Sequence, residues 1–149
     1  MTSTAMSTLT PPMRVLIMGC GHSSGIPQLA CLNDPKSCDV CNNAHAKPED
    51  GNRRGNPMLL IEYKGKQIAI DLGKTAIASA LAHIKPSTGI NFAIDSIILT
   101  HDHSDAIGGL DETRGWSRGC VDIFMDDATN ASIAKQFSWV VKSKVCFQS

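Results

Sequence analysis

The run Leu99-Thr100-His101-Asp102-His103-Ser104-Asp105-Ala106 sets two imidazoles and a carboxylate at alternate positions, directly after an apolar stretch. Residues two apart point the same way in extended backbone. His101 and His103 can therefore converge on one ion, and Asp105 can reach in from the next turn. Imidazole nitrogen with carboxylate oxygen is a donor set suited to Zn²⁺, or to iron or manganese. A plain surface loop holding two histidines is the competing reading.

Cys31, Cys38 and Cys41 form a second group, spaced Cys-x6-Cys-x2-Cys in a polar stretch. Cys-x2-Cys is a common bite on tetrahedral Zn²⁺, and three thiolates call for a fourth ligand. His45 stands four residues after Cys41, a workable spacing. Three reduced cysteines without metal are the simpler alternative. An ion here would pin a long loop and couple folding to zinc. Cys20, Cys120 and Cys146 are scattered singly and read as packing or incidental residues.

The elements that must position these groups alternate. Residues 13–19 are an apolar run ending in Gly19, a buried strand. The glycine-rich stretch Gly19–Pro27 lacks the Lys-Ser/Thr ending of a phosphate-binding P-loop, and Pro27 argues against a helix starting there. His22 within it reads as a loop histidine with a local hydrogen bond, with a substrate contact as the alternative. Residues 28–56 read as a long polar loop, which needs a staple or a function. Arg53-Arg54 could meet a phosphate or be a solvated pair. Residues 58–63 and 66–71 are strands joined by a Lys64-Gly65 turn. Residues 75–84 have helical spacing, with His83 on the surface. Residues 94–99 are the strand that delivers the histidines. Asp105 stands at a cap position for a helix over 106–114. A strand at 121–125 and a helix at 127–137 follow.

The chain has 149 residues and zero formal net charge, with 42% hydrophobic and 19% charged residues. That suits one soluble domain with a real core. Bulk charge gives no hint of nucleic acid or an anionic membrane as partner. No apolar run is long enough to span a bilayer. The first twelve residues read as a flexible tail and show no secretory pattern. The cysteine usage points to metal in a reducing cytoplasm, not to a disulfide framework.

Strand, glycine loop, hairpin ending Ile70-Asp71-Leu72-Gly73, helix, strand and His101-Asp102-His103-Ser104-Asp105 together resemble the metallo-β-lactamase fold of hydrolases. The glycine loop followed by Cys31, Cys38 and Cys41, with Gly109-Leu110-Asp111-Glu112-Thr113-Arg114 after the histidines, is similar to the branch containing phosphoribosyl cyclic phosphate phosphodiesterase. The resemblance covers residues 13–137.

It implies an α/β (α+β) class, with the N-terminal half of a four-layer α-β-β-α sandwich. Residues 1–12 would be the tail, 13–137 the N-terminal part of the domain and 138–149 a divergent or truncated end. It implies one or two Zn²⁺ ions at the sheet ends, with Mn²⁺ or Fe²⁺ as alternatives, and one structural ion at the cysteines. His101 and His103 match ligands of the first metal. Asp105 matches the carboxylate of the second metal and the catalytic group that holds a water. Asp71 matches the aspartate that supports the site through hydrogen bonds.

The implied function is metal-dependent hydrolysis of a phosphodiester, including a cyclic one, in a small phosphorylated substrate. Two departures bear on this. Ala106 stands where the family carries a second-metal histidine, and a methyl group cannot ligate. After His103 the chain has no histidine, so the family's later imidazoles, including the one completing the cysteine site, are not in this sequence. Little or no turnover by this chain is therefore expected. The alternative is a non-catalytic zinc-binding fragment or interaction module.

Overall fold

A computed structural model describes residues 13–140 and 144–146, apart from 35, 37, 50, 84–90 and 118. The expected tail at 1–12 lies outside the described residues. So does much of 138–149.

The sheet has six strands in the order β1 (Arg14–Gly19), β2 (Met58–Tyr63), β3 (Lys66–Ile70), β4 (Ser96–Ile98), β5 (Cys120–Phe124) and β6 (Lys144–Cys146). β1, β2 and β3 pair antiparallel, β3–β4 and β4–β5 are parallel, and β6 closes antiparallel on β5. Lys64 (φ 49°) and Gly65 (φ 76°) both take left-handed backbone in the β2–β3 turn. That geometry matches the twist of the strands it joins.

Alternation along the strands sorts the side chains onto two faces. Met18, Met58, Leu60, Ala69, Ile97, Val121 and Ile123 point to one face and are buried. There α3 (Ala76–His83), α4 (Ser104–Ile107) and α5 (Asp127–Gln136) contribute Ala76, Ala80, Ala106, Ile107 and Ile133 to the same core. Asp126 caps α5 by accepting from the Thr129 N–H at 2.7 Å. On the opposite face, Val15, Ile17, Ile98 and Phe124 are exposed, while Leu59, Ile61, Ile68 and Ile70 are half-buried. β1 is therefore not the buried strand expected from its apolar run, because it stands at the end of the strand order with one face uncovered. The architecture is thus one helical layer on one mixed sheet, half of the sandwich expected.

Several local readings need correction. Residues 28–56 are not simply loop: α1 (Leu29–Leu32) and α2 (Asp39–Ala46) lie within them, each closed by its own backbone bonds, such as Asn33 N–H to the Leu29 carbonyl and Lys47 N–H to the Asn43 carbonyl. The helix expected over 106–114 is split into α4 and a 3₁₀ turn at Leu110–Gly115. Its N-cap is His103, whose side chain makes no capping bond. Asp105 sits in the first turn instead. Cys120 is disulfide-bonded rather than a free packing thiol.

β1, β3, β4 and β5 all run in one direction, since β1 and β3 each oppose β2. Their carboxyl ends meet at one edge. In open α/β sheets ligands bind at that edge, and the glycine loop, Asp71 and the histidine run all leave the sheet there.

Candidate functional site

At the end of β3, Asp71 takes a left-handed backbone (φ 58°), a conformation aspartate tolerates better than most residues. Its N–H donates to the Ile98 carbonyl at 2.9 Å, tying it to β4. Its buried carboxylate then receives two bonds from the residue ahead of the first histidine. The Thr100 N–H donates to Oδ1 and the Thr100 hydroxyl to Oδ2, each at 2.8 Å. Hydrogen bonds to a charged acceptor contribute roughly 1.5–3 kcal/mol each. Thr100 Oγ1 also lies 2.8 Å from His101 Nδ1.

The segment after Asp71 is laced to α4. Leu72 N–H donates to the Ala106 carbonyl and Gly109 N–H to the Leu72 carbonyl, each at 2.7 Å. Gly73 has to be glycine for steric reasons: a Cβ there would stand 2.1 Å from the Asp105 carbonyl oxygen and 2.7 Å from Asn56 Cβ.

His101 and His103 meet edge to face, with ring centroids 4.9 Å apart and an interplanar angle of 77°. His101 Nε2 lies 3.7 Å from Asp105 Oδ1. One ligand atom from each of His101, His103 and Asp105 lies within 4.8 Å of the others. Ligands sharing a tetrahedral zinc stand roughly 3.3 Å apart, so a small inward adjustment would close the three on one ion. Asp105 Oδ2 accepts from the Ser23 hydroxyl at 2.9 Å. That bond is the main reason its carboxyl is held below the usual carboxylate range; partial burial opposes the shift and the two histidines assist it.

Ser23 belongs to the glycine loop, which is docked by buried Asn56. The Asn56 side-chain amide donates to the carbonyls of His22 and Ser23, at 3.2 and 3.0 Å. His22 itself is exposed and accepts from the Ser24 N–H at 3.2 Å. Thr100, Ser23 and Asn56 were all missed by spacing arguments. A threonine immediately before a candidate ligand was a readable signal. The long-range reach of Ser23 and Asn56 was not.

The second ligand group also assembles. Cys31 lies on α1, Cys38 is the N-cap of α2, and Cys41 lies one turn into that helix. Their sulfurs lie within 4.8 Å of one another, and His45 does not join them within that span. Cys38 Sγ accepts from the Cys41 N–H at 3.5 Å, which lowers the Cys38 pKa, with the Cys41 thiol assisting. Cys31 is pushed up to about 11, first by its hydrogen bond with Cys41 and then by desolvation. The two thiols are thus shifted in opposite directions by the same neighbour.

No family model matches the chain. Among curated proteins it is similar to an octanoyltransferase of Porphyromonas gingivalis, with 33% identity over 102 residues, 68% of this chain and 18% of that one. It is also similar to the coenzyme PQQ synthesis protein B of Rhodopseudomonas palustris, with 30% identity over 103 residues, 66% of this chain and 31% of that one. Among solved structures, a diphosphatase from the PhnP family superposes with a TM-score of 0.66 at 28% identity, over 85% of this chain and 46% of the other. The fold is the metallo-β-lactamase fold. The metallo-β-lactamase-fold protein YhfI from Bacillus subtilis superposes at 0.51 and 16% identity, over 88% of this chain and 42% of YhfI.

Within the metallo-β-lactamase fold the chain is related to the branch of the PhnP-family diphosphatase and the PQQ synthesis protein. It spans less than half the length of each relative just described. Among the described residues no helix is long and apolar enough to cross a membrane.

Proposed function

We propose that the chain carries the metal-binding edge of a hydrolase acting on a phosphodiester, including a cyclic one, in a small phosphorylated molecule. His101, His103 and Asp105 would hold the ion, Zn²⁺ or alternatively Mn²⁺ or Fe²⁺. The observation that carries this reading is the convergence of their three ligand atoms at the carboxyl edge of the parallel strands. Two imidazole nitrogens and a carboxylate oxygen fit a divalent ion of this kind. When bound, such an ion acidifies water and draws charge from an oxygen under attack.

The protein's own groups do the rest. Asp105, whose Oδ2 is held by the Ser23 hydroxyl, can accept a hydrogen bond from a water and so orient it. Phosphoryl chemistry is supported by the likeness to a diphosphatase. A cleft of about 590 Å³ bordered by Ser24, Arg53, Arg54 and Thr75 is a place where guanidinium groups could meet phosphate oxygens, although none of the candidate ligands lines it. A larger cavity of about 820 Å³ is lined by residues such as Lys66, Asp95 and Asp122, and by none of the candidate ligands.

Cys31, Cys38 and Cys41 would hold a separate structural Zn²⁺. Thiolate ligands persist in a reducing compartment such as the cytoplasm. A second reading, a zinc-binding module without turnover, is favoured by Ala106, a buried methyl beside the site.

Metal analysis of protein purified without chelator tests both. His101→Ala with His103→Ala should remove one equivalent of ion and leave the cysteine equivalent in place. Unchanged metal content in that double variant would overturn the site. Metal-dependent cleavage of bis(p-nitrophenyl) phosphate, lost in the same variant, separates the hydrolase from the module.

A further inference from the structure

We propose that Thr100 is a positioning residue that fixes the tautomer of His101, leaving Nε2 as the atom free to bind metal. The proposal rests on the metal site above for its purpose, but not for its geometry. Thr100 Oγ1 carries a single hydrogen. The Asp71 carboxylate can only accept, and Oδ2 stands 2.8 Å from that oxygen, so the hydroxyl hydrogen is spent there. The second neighbour of Thr100 Oγ1 is His101 Nδ1, also at 2.8 Å. With its own hydrogen committed, the hydroxyl can only accept from the ring, and Nδ1 must carry the proton. In the neutral ring Nε2 is then the lone-pair nitrogen. It is this nitrogen that lies 3.7 Å from Asp105 Oδ1, on the side where the ligand atoms gather.

Each link depends on the backbone. The Thr100 N–H on Asp71 Oδ1 fixes which way the carboxylate faces, and the left-handed turn at Asp71 (φ 58°) brings it beneath Thr100. The relay therefore starts on β3 and ends in the ligand ring. Asp71 acts on the histidine through Thr100. Valine would keep the shape of threonine and lose the acceptor. Serine would keep the acceptor.

The first measurement is the nitrogen-15 spectrum of metal-free, full-length protein at a pH where His101 is neutral. The expected signature is a protonated Nδ1 and a bare Nε2. A His101 ring found with its proton on Nε2 overturns the proposal without any variant. The second is Zn²⁺ affinity at the histidine site. Thr100→Val should shift the ring toward the other tautomer and weaken binding about 10- to 100-fold, the usual span for a lost supporting partner. Thr100→Ser should restore both. A valine variant with unchanged tautomer and affinity also overturns it. Wild-type protein with the expected tautomer but no bound ion would defeat the proposed function and leave the tautomer assignment standing.

Discussion

The two ligand groups are built on opposite plans. His101, His103 and Asp105 follow β4 and enter α4, with Leu99 and Ala106 buried on either side of them. Groups from three other places hold them: Asp71 from β3 through Thr100, Ser23 from the glycine loop, and Gly73 in close approach to the Asp105 backbone. The cysteine group hangs from two short helices, one of four residues and one of eight. Its sulfurs bond within the group, with Gln28 N–H, at the N-cap of α1, also donating to Cys41 Sγ at 3.5 Å. The first site is shaped by the fold before any ion arrives. The second is held mainly by contacts among its own members, and the ion proposed for it would supply the remaining constraint.

The sharpest way to break this contrast is Gly73→Ala. Its Cβ would collide with the Asp105 carbonyl oxygen, and backbone cannot yield as a side-chain tip does. A loss of about 3 kcal/mol or more is expected in urea unfolding, with the histidine site lost as well. A well-folded variant with intact metal binding would show that the strand-end site tolerates movement.

Asp71→Asn comes next. It replaces the acceptor of two bonds from Thr100 by a neutral group, and a loss of about 2 kcal/mol is expected by the same measurement. The cysteine equivalent of metal should survive it.

Chelation tests the other half. Stripping the ion should speed amide exchange across Leu29–Leu32 and Asp39–Ala46 by roughly tenfold or more, while β2 and β3 keep their protection. Equal loosening of both regions would erase the distinction between them.

The smallest effect concerns acid. Asp105 has a folded pKa below its unfolded value, chiefly because of Ser23. Its contribution to stability is therefore present above the unfolded pKa, near about 3.9, and is lost as pH falls through the folded pKa. In metal-free protein, Ser23→Ala should shrink the drop in urea midpoint between pH 7 and pH 3. An unaltered drop would show that Ser23 does not hold the carboxylate.

The apolar run at 13–19 and the Lys64-Gly65 turn between 58–63 and 66–71 made the antiparallel end of the sheet readable, although the run itself did not show that β1 keeps one face exposed. One-residue slips there would turn Leu60 and Ala69 out of the core. The short strand β4 was overextended by a residue or two at each end, since Ile94 and Leu99 are buried without being in the ladder. The helices in 28–56 were invisible because neither is long enough to show an apolar stripe, and α1 buries no residue at all. The ligand spacing at 101–105 was readable because ligands two apart need only local backbone.

Residue types and spacing alone determined the donor chemistry: which side chains can ligate, that thiolates and imidazoles form separate groups, and that Ala106 cannot take part. These are covalent properties and short-range geometry, carried by the chain whether folded or not. Only the tertiary structure decided which ring nitrogen of His101 is free, which oxygen of Asp105 is already bonded, and that Ser23 stands beside it across 82 positions of chain. Those contacts exist because β1, β3 and β4 deliver their ends to one edge, and strand order is a product of long-range packing that no local pattern encodes.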